Sequence, residues 1–175
     1  AQPGFTAGPC LLKDTMQLSS FLRGKFQLGH EAMKINEGLP IFLIKKLERK
    51  ISLKNKKIGI LGMAFKAETD DIRDSLSIKL RNYLRKRRFK FYCSDPYFKD
   101  KQIINTRSLI DKSDILLSIN PLDIDFNSIS KNAKSKIFIG NFNFNDLVPD
   151  KRFTFLALEK IPRIARAQSM DILSS

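Results

Sequence analysis

Up to residue 54 the apolar positions recur at three- and four-residue steps, and beyond it they gather into short runs separated by polar stretches. The first pattern is that of amphipathic helices, the second that of buried strands alternating with crossovers. Leu18, Phe21 and Leu22 make one apolar face, and Gly24 or Gly29 marks its end. Ala32, Ile35, Leu39, Phe42, Leu43, Leu47 and Ile51 predict a longer helix over 30–51, with a kink at Pro40, whose ring removes a backbone donor. Strands are expected at 58–61, 89–93, 115–119, 136–140 and 153–157, with a helix at 75–87 whose inward residues are Leu76, Leu80, Tyr83 and Leu84. Strands joined by crossovers imply a parallel sheet. Residues 123–130 and the tail after Pro162 give no clear pattern. The expected fold is α/β: a helical N-terminal segment with a long connecting helix over 1–54, then a Rossmann-like parallel-sheet domain over 55–175.

Composition narrows the class. With 175 residues and 42% apolar content, the chain is long enough for one domain with a real core. No apolar run approaches the ~18 residues of a membrane span, and no signal-peptide pattern appears. Two cysteines, Cys10 and Cys93, do not make a disulfide framework, so a reducing cytoplasm is expected. The chain opens with Ala inside a motif discussed below, and is expected to be the C-terminal part of a longer protein. The net charge of +14 raises nucleic acid as a partner. The densest basic cluster, 79–90, lies on and after a predicted helix, where cations complement the dipole. The aromatics fall in predicted strands rather than in a stacking array, so nucleic-acid binding is disfavoured.

The candidate chemistry begins at Gly8-Pro9-Cys10-Leu11-Leu12-Lys13-Asp14. Asp14 followed three residues later by Gln17 reads as a capping box, placing a helix start at about Thr15 and Cys10 in the loop that feeds it. A helix N-terminus and a neighbouring Lys13 both favour a thiolate, the nucleophilic form. An isolated cysteine is more often a small buried apolar residue, and Cys93, in an apolar strand, reads that way. His30, the sole histidine, is expected at a helix start as a surface or capping residue without metal partners. Asp71 or Asp74 is expected to cap the 75–87 helix, with Arg73 paired locally. Gly59 and Gly62 after a strand, with Asp95 after the next, suggest a dinucleotide fingerprint, yet no G-x-G-x-x-G is present.

Residues 5–14 (Phe5-Thr6-Ala7-Gly8-Pro9-Cys10-Leu11-Leu12-Lys13-Asp14) resemble the catalytic-cysteine segment of the nucleotide-sugar dehydrogenases, the UDP-glucose and UDP-N-acetylmannosamine 6-dehydrogenase family. Asn36-Glu37-Gly38-Leu39-Pro40 is similar to that family's Asn-Glu-x-x-Pro helix. Gly62-Met63-Ala64-Phe65-Lys66, then Thr69-Asp70-Asp71-Ile72-Arg73-Asp74-Ser75 and Asp95-Pro96, resemble the opening of its C-terminal domain. The likeness runs from residue 3 to residue 97.

The resemblance implies an oxidoreductase of nucleotide-sugar metabolism, serving polysaccharide biosynthesis. Such enzymes oxidise the C6 alcohol of a UDP-sugar to a carboxylate, through a cysteine thiohemiacetal and thioester, with two equivalents of NAD. On this likeness Cys10 is the nucleophile, Asp14 orients or activates water, and Lys13 stabilises thiolate or oxyanion. Phe5, Gly8, Phe65 and Lys66 bind substrate, Lys66 meeting the diphosphate near a helix start. NAD is expected in a domain upstream of this chain, leaving no cofactor-binding residue here, and the long helix is expected to form a homodimer. Two stretches depart from the family pattern: Asn141 stands where a polar Arg-bearing stretch is usual, and Asn120-Pro121-Leu122-Asp123 also diverges. The competing reading is a non-catalytic dimerisation or nucleotide-sugar-binding module.

Overall fold

The computed structural model describes residues 8–66 and 68–118, together with the backbone of two further strands, 136–140 and 153–157. Phe5, Ile119, the 120–123 and 123–130 stretches, Asn141 and the tail after Pro162 lie outside the described residues. The chain begins with two helices, α1 (Pro9–Phe21) and α2 (Gln27–Lys50). Then follow β1 (Lys57–Leu61), α3 (Leu76–Lys86), β2 (Lys90–Ser94), α4 (Thr106–Lys112), β3 (Ile115–Ser118), β4 (Lys136–Gly140) and β5 (Phe153–Ala157). All strand pairs are parallel, and the sheet order is β2-β1-β3-β4-β5. This is a Rossmann-like arrangement whose order reverses between β1 and β3, so the crevice beyond the carboxyl ends of those strands is where such sheets take ligands.

The first helix begins six residues earlier than the capping-box reading places it. Pro9 occupies its first position, where a fixed φ favours the helix and the missing N–H has no helical partner to lose. Gly8 is the N-cap, with φ +143, a region glycine enters without penalty. Asp14 is therefore inside the helix rather than capping it. The helix stops through a Schellman arrangement: Gly24 N–H donates to Ser19 O at 3.1 Å, Arg23 N–H to Ser20 O at 3.0 Å, and Gly24 has φ +80.

Gly29 proves to be no stop signal. It lies within the first turn of α2, and the Phe26 ring occupies the space a Cβ there would need. The helix accordingly starts at Gln27, and His30 is neither its start nor its cap. Its Nδ1 lies 3.4 Å from Ser19 Oγ across the α1–α2 hairpin. The span of α2 runs through Pro40, which is buried with Leu43, Ile44 and Leu47.

The buried face of α2 meets the sheet and α3. Leu43, Ile44, Leu47, Leu53, Ile58, Ile60, Met63, Leu80, Leu84, Cys93, Ile115 and Leu117 form one apolar cluster. In α3, Leu76, Leu80 and Leu84 are buried at four-residue steps, and Tyr83 is half-buried. Its N-cap is Ser75, whose Oγ accepts from Ser77 N–H at 3.2 Å, so neither Asp71 nor Asp74 caps it. Ion pairs join α2 to α3: Lys79 with Glu37, and Arg87 with Glu48 at 2.9 Å. The short α4 has no counterpart among the elements that the hydrophobic pattern predicts. Its signal was present in Asn105, whose Oδ1 accepts from Ser108 N–H at 2.7 Å, followed by buried Leu109 and Ile110.

Candidate functional site

Placing Pro9 at the first helical position makes Cys10 the second residue of α1, exposed to solvent. Its neighbourhood is the helix end where backbone N–H groups lack helical acceptors and the dipole is positive. Asp14 then lies one turn further along the same face, at the i, i+4 spacing that brings side chains together. Lys13 pairs with Asp14 at 3.2 Å, both exposed. The Asp14 carboxylate holds the Lys13 ammonium charged above its ordinary range, and the Cys10 sulfur adds to the effect.

The loop after β1 reaches this helix start. The Phe65 ring packs on Gly8, with ring carbons 3.4 Å from where a Cβ would stand. A side chain at Gly8 would crowd that ring and would be strained at φ +143. Lys66 is exposed, its Nζ 5.6 Å from the Phe65 ring centroid. The loop closes on itself where Phe65 N–H donates to Asp71 O at 3.0 Å. Asp71 grips Arg73 with both carboxylate oxygens, at 2.7 to 3.0 Å.

Arg73 is the residue whose place the sequence pattern underrated. The local pair with Asp71 was legible, since the two stand two positions apart. Its relation to Cys10 was not, because sixty-odd residues and a complete helix intervene in the chain. Asp71 holds the Arg73 guanidinium charged above its ordinary value, and the Cys10 sulfur contributes in the same direction. In return Arg73 keeps the Asp71 carboxyl below the usual carboxylate range, with a smaller contribution from Lys66. An exposed thiol, a carboxylate one turn away, cations from two elements and an aromatic ring thus meet around the start of α1.

Asp95 is engaged otherwise than the fingerprint reading suggests. Its Oδ2 accepts from Met63 and Ala64 N–H at 2.6 and 3.2 Å, and its Oδ1 from Tyr97 and Phe98 N–H at 2.8 and 2.9 Å. In dinucleotide-binding domains an acidic residue near this place takes the ribose hydroxyls, while a glycine-rich turn admits the pyrophosphate. Here the carboxylate is taken up by backbone and the turn lacks those glycines. The turn after β1 and Asp95 therefore do not form the dinucleotide fingerprint.

Four cations of the basic cluster are engaged within the protein, while Lys86, Arg88 and Lys90 are exposed. Lys79 and Arg87 pair with α2 as described, Arg81 reaches Asp100 at 3.5 Å, and Arg85 donates to Gln102 at 2.7 Å. An open cleft of about 360 Å³ in the α1–α2 hairpin is lined by Met16, Ser19, His30 and Glu31 among others, and contains none of the anticipated site residues. Among the described residues no helix is long and apolar enough to cross a membrane.

Comparison with known proteins gives a consistent answer. Residues 59–138 match the family model described as the UDP-glucose/GDP-mannose dehydrogenase family, UDP binding domain. A UDP-N-acetyl-D-mannosamine dehydrogenase of Pyrococcus horikoshii is 29% identical over 151 residues, covering 81% of this chain and 36% of that protein. A UDP-glucose 6-dehydrogenase of Haloferax volcanii is 36% identical over 76 residues, covering 42% of this chain and 18% of that protein. Among solved structures, the UDP-D-ManNAc dehydrogenase of Pyrococcus horikoshii superposes with a TM-score of 0.73 at 28% identity, over 90% of this chain and 40% of the other. The chain therefore spans a minor part of the length of these relatives.

Proposed function

From a chain that belongs, through residues 59–138, to the UDP-glucose/GDP-mannose dehydrogenase family, we propose that it supplies the thiol and the nucleotide-sugar site of a UDP-sugar 6-dehydrogenase. The observation that carries this reading is the packing of Phe65 on Gly8, which brings the Cys10 helix start to the loop of the UDP-binding domain. Residues 1–54 form the thiol-bearing and dimerising part, and residues 55–175 the nucleotide-sugar part.

In this reading Lys66 and Phe65 receive the nucleotide diphosphate and its sugar, and Gly8 and Phe5 belong to the same substrate-binding set. Cys10 Sγ adds to the carbonyl carbon of the C6 aldehyde, forming a thiohemiacetal whose oxygen lies near Lys13 and Arg73. These cations stabilise the oxygen as it gains negative charge. Asp14, one turn from Cys10, orients the water that later releases the carboxylate from the thioester. NAD would serve as hydride acceptor, held mainly by a domain outside this chain. A reducing compartment such as the cytoplasm suits an exposed thiol in this role.

Calorimetric titration with a UDP-sugar tests the reading. Lys66→Ala should weaken binding by about ten- to a hundredfold, the worth of one charge-assisted contact of roughly 1.5–3 kcal/mol. Arg85→Ala, within the basic cluster, should leave it unchanged. No binding by the wild-type chain, or equal loss in both variants, would overturn it.

A further inference from the structure

We infer that Asp95 and Ser75 are positioning residues for the Phe65-Lys66 loop, which therefore meets its ligand through the Phe65 and Lys66 side chains rather than through the N–H groups of residues 62–65. The inference rests on the functional reading above and extends it. Four consecutive N–H groups leave the carboxyl end of β1, the place where a phosphate-binding loop offers its amides to a ligand. In this chain each has a protein acceptor. Gly62 N–H donates to Ser94 O at 3.0 Å, Met63 and Ala64 N–H to Asp95 Oδ2, and Phe65 N–H to Asp71 O.

The carbonyl side is held as well. Ser75 Oγ–H donates to Met63 O at 2.7 Å while the same oxygen caps α3. Met63 is thus fixed at its N–H by the residue that follows β2 and at its C=O by the residue that caps α3. Its side chain is fully buried, and so is Ser75. The chain turns off the sheet at Gly62, with φ +87, and is pinned at the next three residues. With those four amides engaged, the partly buried Phe65 ring and the exposed Lys66 ammonium are the side chains placed to meet a ligand. Asp95 also places a carboxylate against the amides a phosphate would otherwise use, which disfavours an anion there and directs it towards Lys66.

The shape-conserving Asp95→Asn variant separates this from general stabilisation. Asparagine has one acceptor oxygen, so it can serve only one of the two amide pairs and turns a donor towards the other. UDP binding to the purified chain is measured by calorimetry for wild type, Asp95→Asn, Lys66→Ala and the double variant. Amide exchange of β3 reports that the fold is intact. Asp95→Asn should raise the UDP dissociation constant about tenfold or more, with Met63 and Ala64 losing exchange protection. In the Lys66→Ala background the added loss should be under about threefold, because residues acting through one another are non-additive. Wild-type affinity in Asp95→Asn, or equal losses in both backgrounds, overturns the inference. If Asp95→Asn does not fold, Ser75→Ala carries the same cycle with the same two outcomes. A wild-type chain that fails to bind UDP overturns the functional reading and this inference together. Binding by wild type with additive losses overturns this inference alone.

Discussion

The two cysteines differ in exposure and in their place in the fold. Cys10 is exposed at a helix start, whereas Cys93 is 1% exposed in β2, where burial pushes its thiol up to about 11. Iodoacetamide at neutral pH should label Cys10 well before Cys93 in the folded chain, as read by peptide mapping; preferential labelling of Cys93 would refute this assignment. The Cys93 shift also sets a pH dependence. The unfolded chain loses this proton first, near pH 9, while the folded chain holds it to about 11. Stability from this group is fully present below about 9 and declines as pH rises towards 11. Urea midpoints followed across that window should fall more steeply for wild type than for Cys93→Ala.

At the scale of the elements, β1 is crowded at Gly59. A Cβ at Gly59 would stand 2.6 Å from Ser113 Oγ, 2.7 Å from the Leu109 side chain and 2.8 Å from that of Leu116. Gly59→Ala should therefore cost about 1–3 kcal/mol by overpacking, measured by urea unfolding. The residue is needed for the close approach of α4 and β3 to β1, and its backbone conformation is ordinary. Asn105→Ala should cost about 0.5–2 kcal/mol through loss of the α4 cap. The helix boundaries show which local signals prevail. The capping-box pattern at Asp14 was outweighed by Pro9 after Gly8, and Gly29 was a packing site for Phe26 rather than a stop.

At the scale of the whole molecule, the outer side of the helical part remains apolar. Phe21 and Leu28 are 82% and 84% exposed, Ile35 69% and Phe42 58%. Leu43, adjacent to Phe42 in the chain, belongs to the core instead, at 4% exposure. The proposed homodimer through α2 would cover part of the exposed set. Ile35→Asp with Phe42→Asp should shift the chain to monomer in sedimentation without unfolding it, whereas Leu43→Asp should unfold it. A wild-type chain that sediments as a monomer at high concentration would refute the dimer. The basic character is also a whole-molecule matter: Lys79, Arg81, Arg85 and Arg87 reach Glu37, Asp100, Gln102 and Glu48, which lie on α2 and in the loop after β2.

The amino-acid sequence alone determined the succession of elements apart from α4, and the family resemblance. Hydrophobic period distinguishes helix from strand locally, so 136–140 and 153–157 matched the strands found and the α3 core positions were legible. Short motifs such as Gly8–Asp14 and Phe65–Ser75 carry their residue identities within a few positions, and so could be read directly. Tertiary structure alone decided what depends on contacts between distant segments. The Phe65 ring on Gly8, Arg73 near Cys10, and the four amides after β1 closed by Ser94, Asp95 and Asp71 involve residues that no local pattern links. Asp95 illustrates the difference. Its place after a strand suggested a ribose ligand, and only the folded neighbourhood shows its lone pairs occupied by backbone, because a hydrogen-bond acceptor's role depends on which donors surround it.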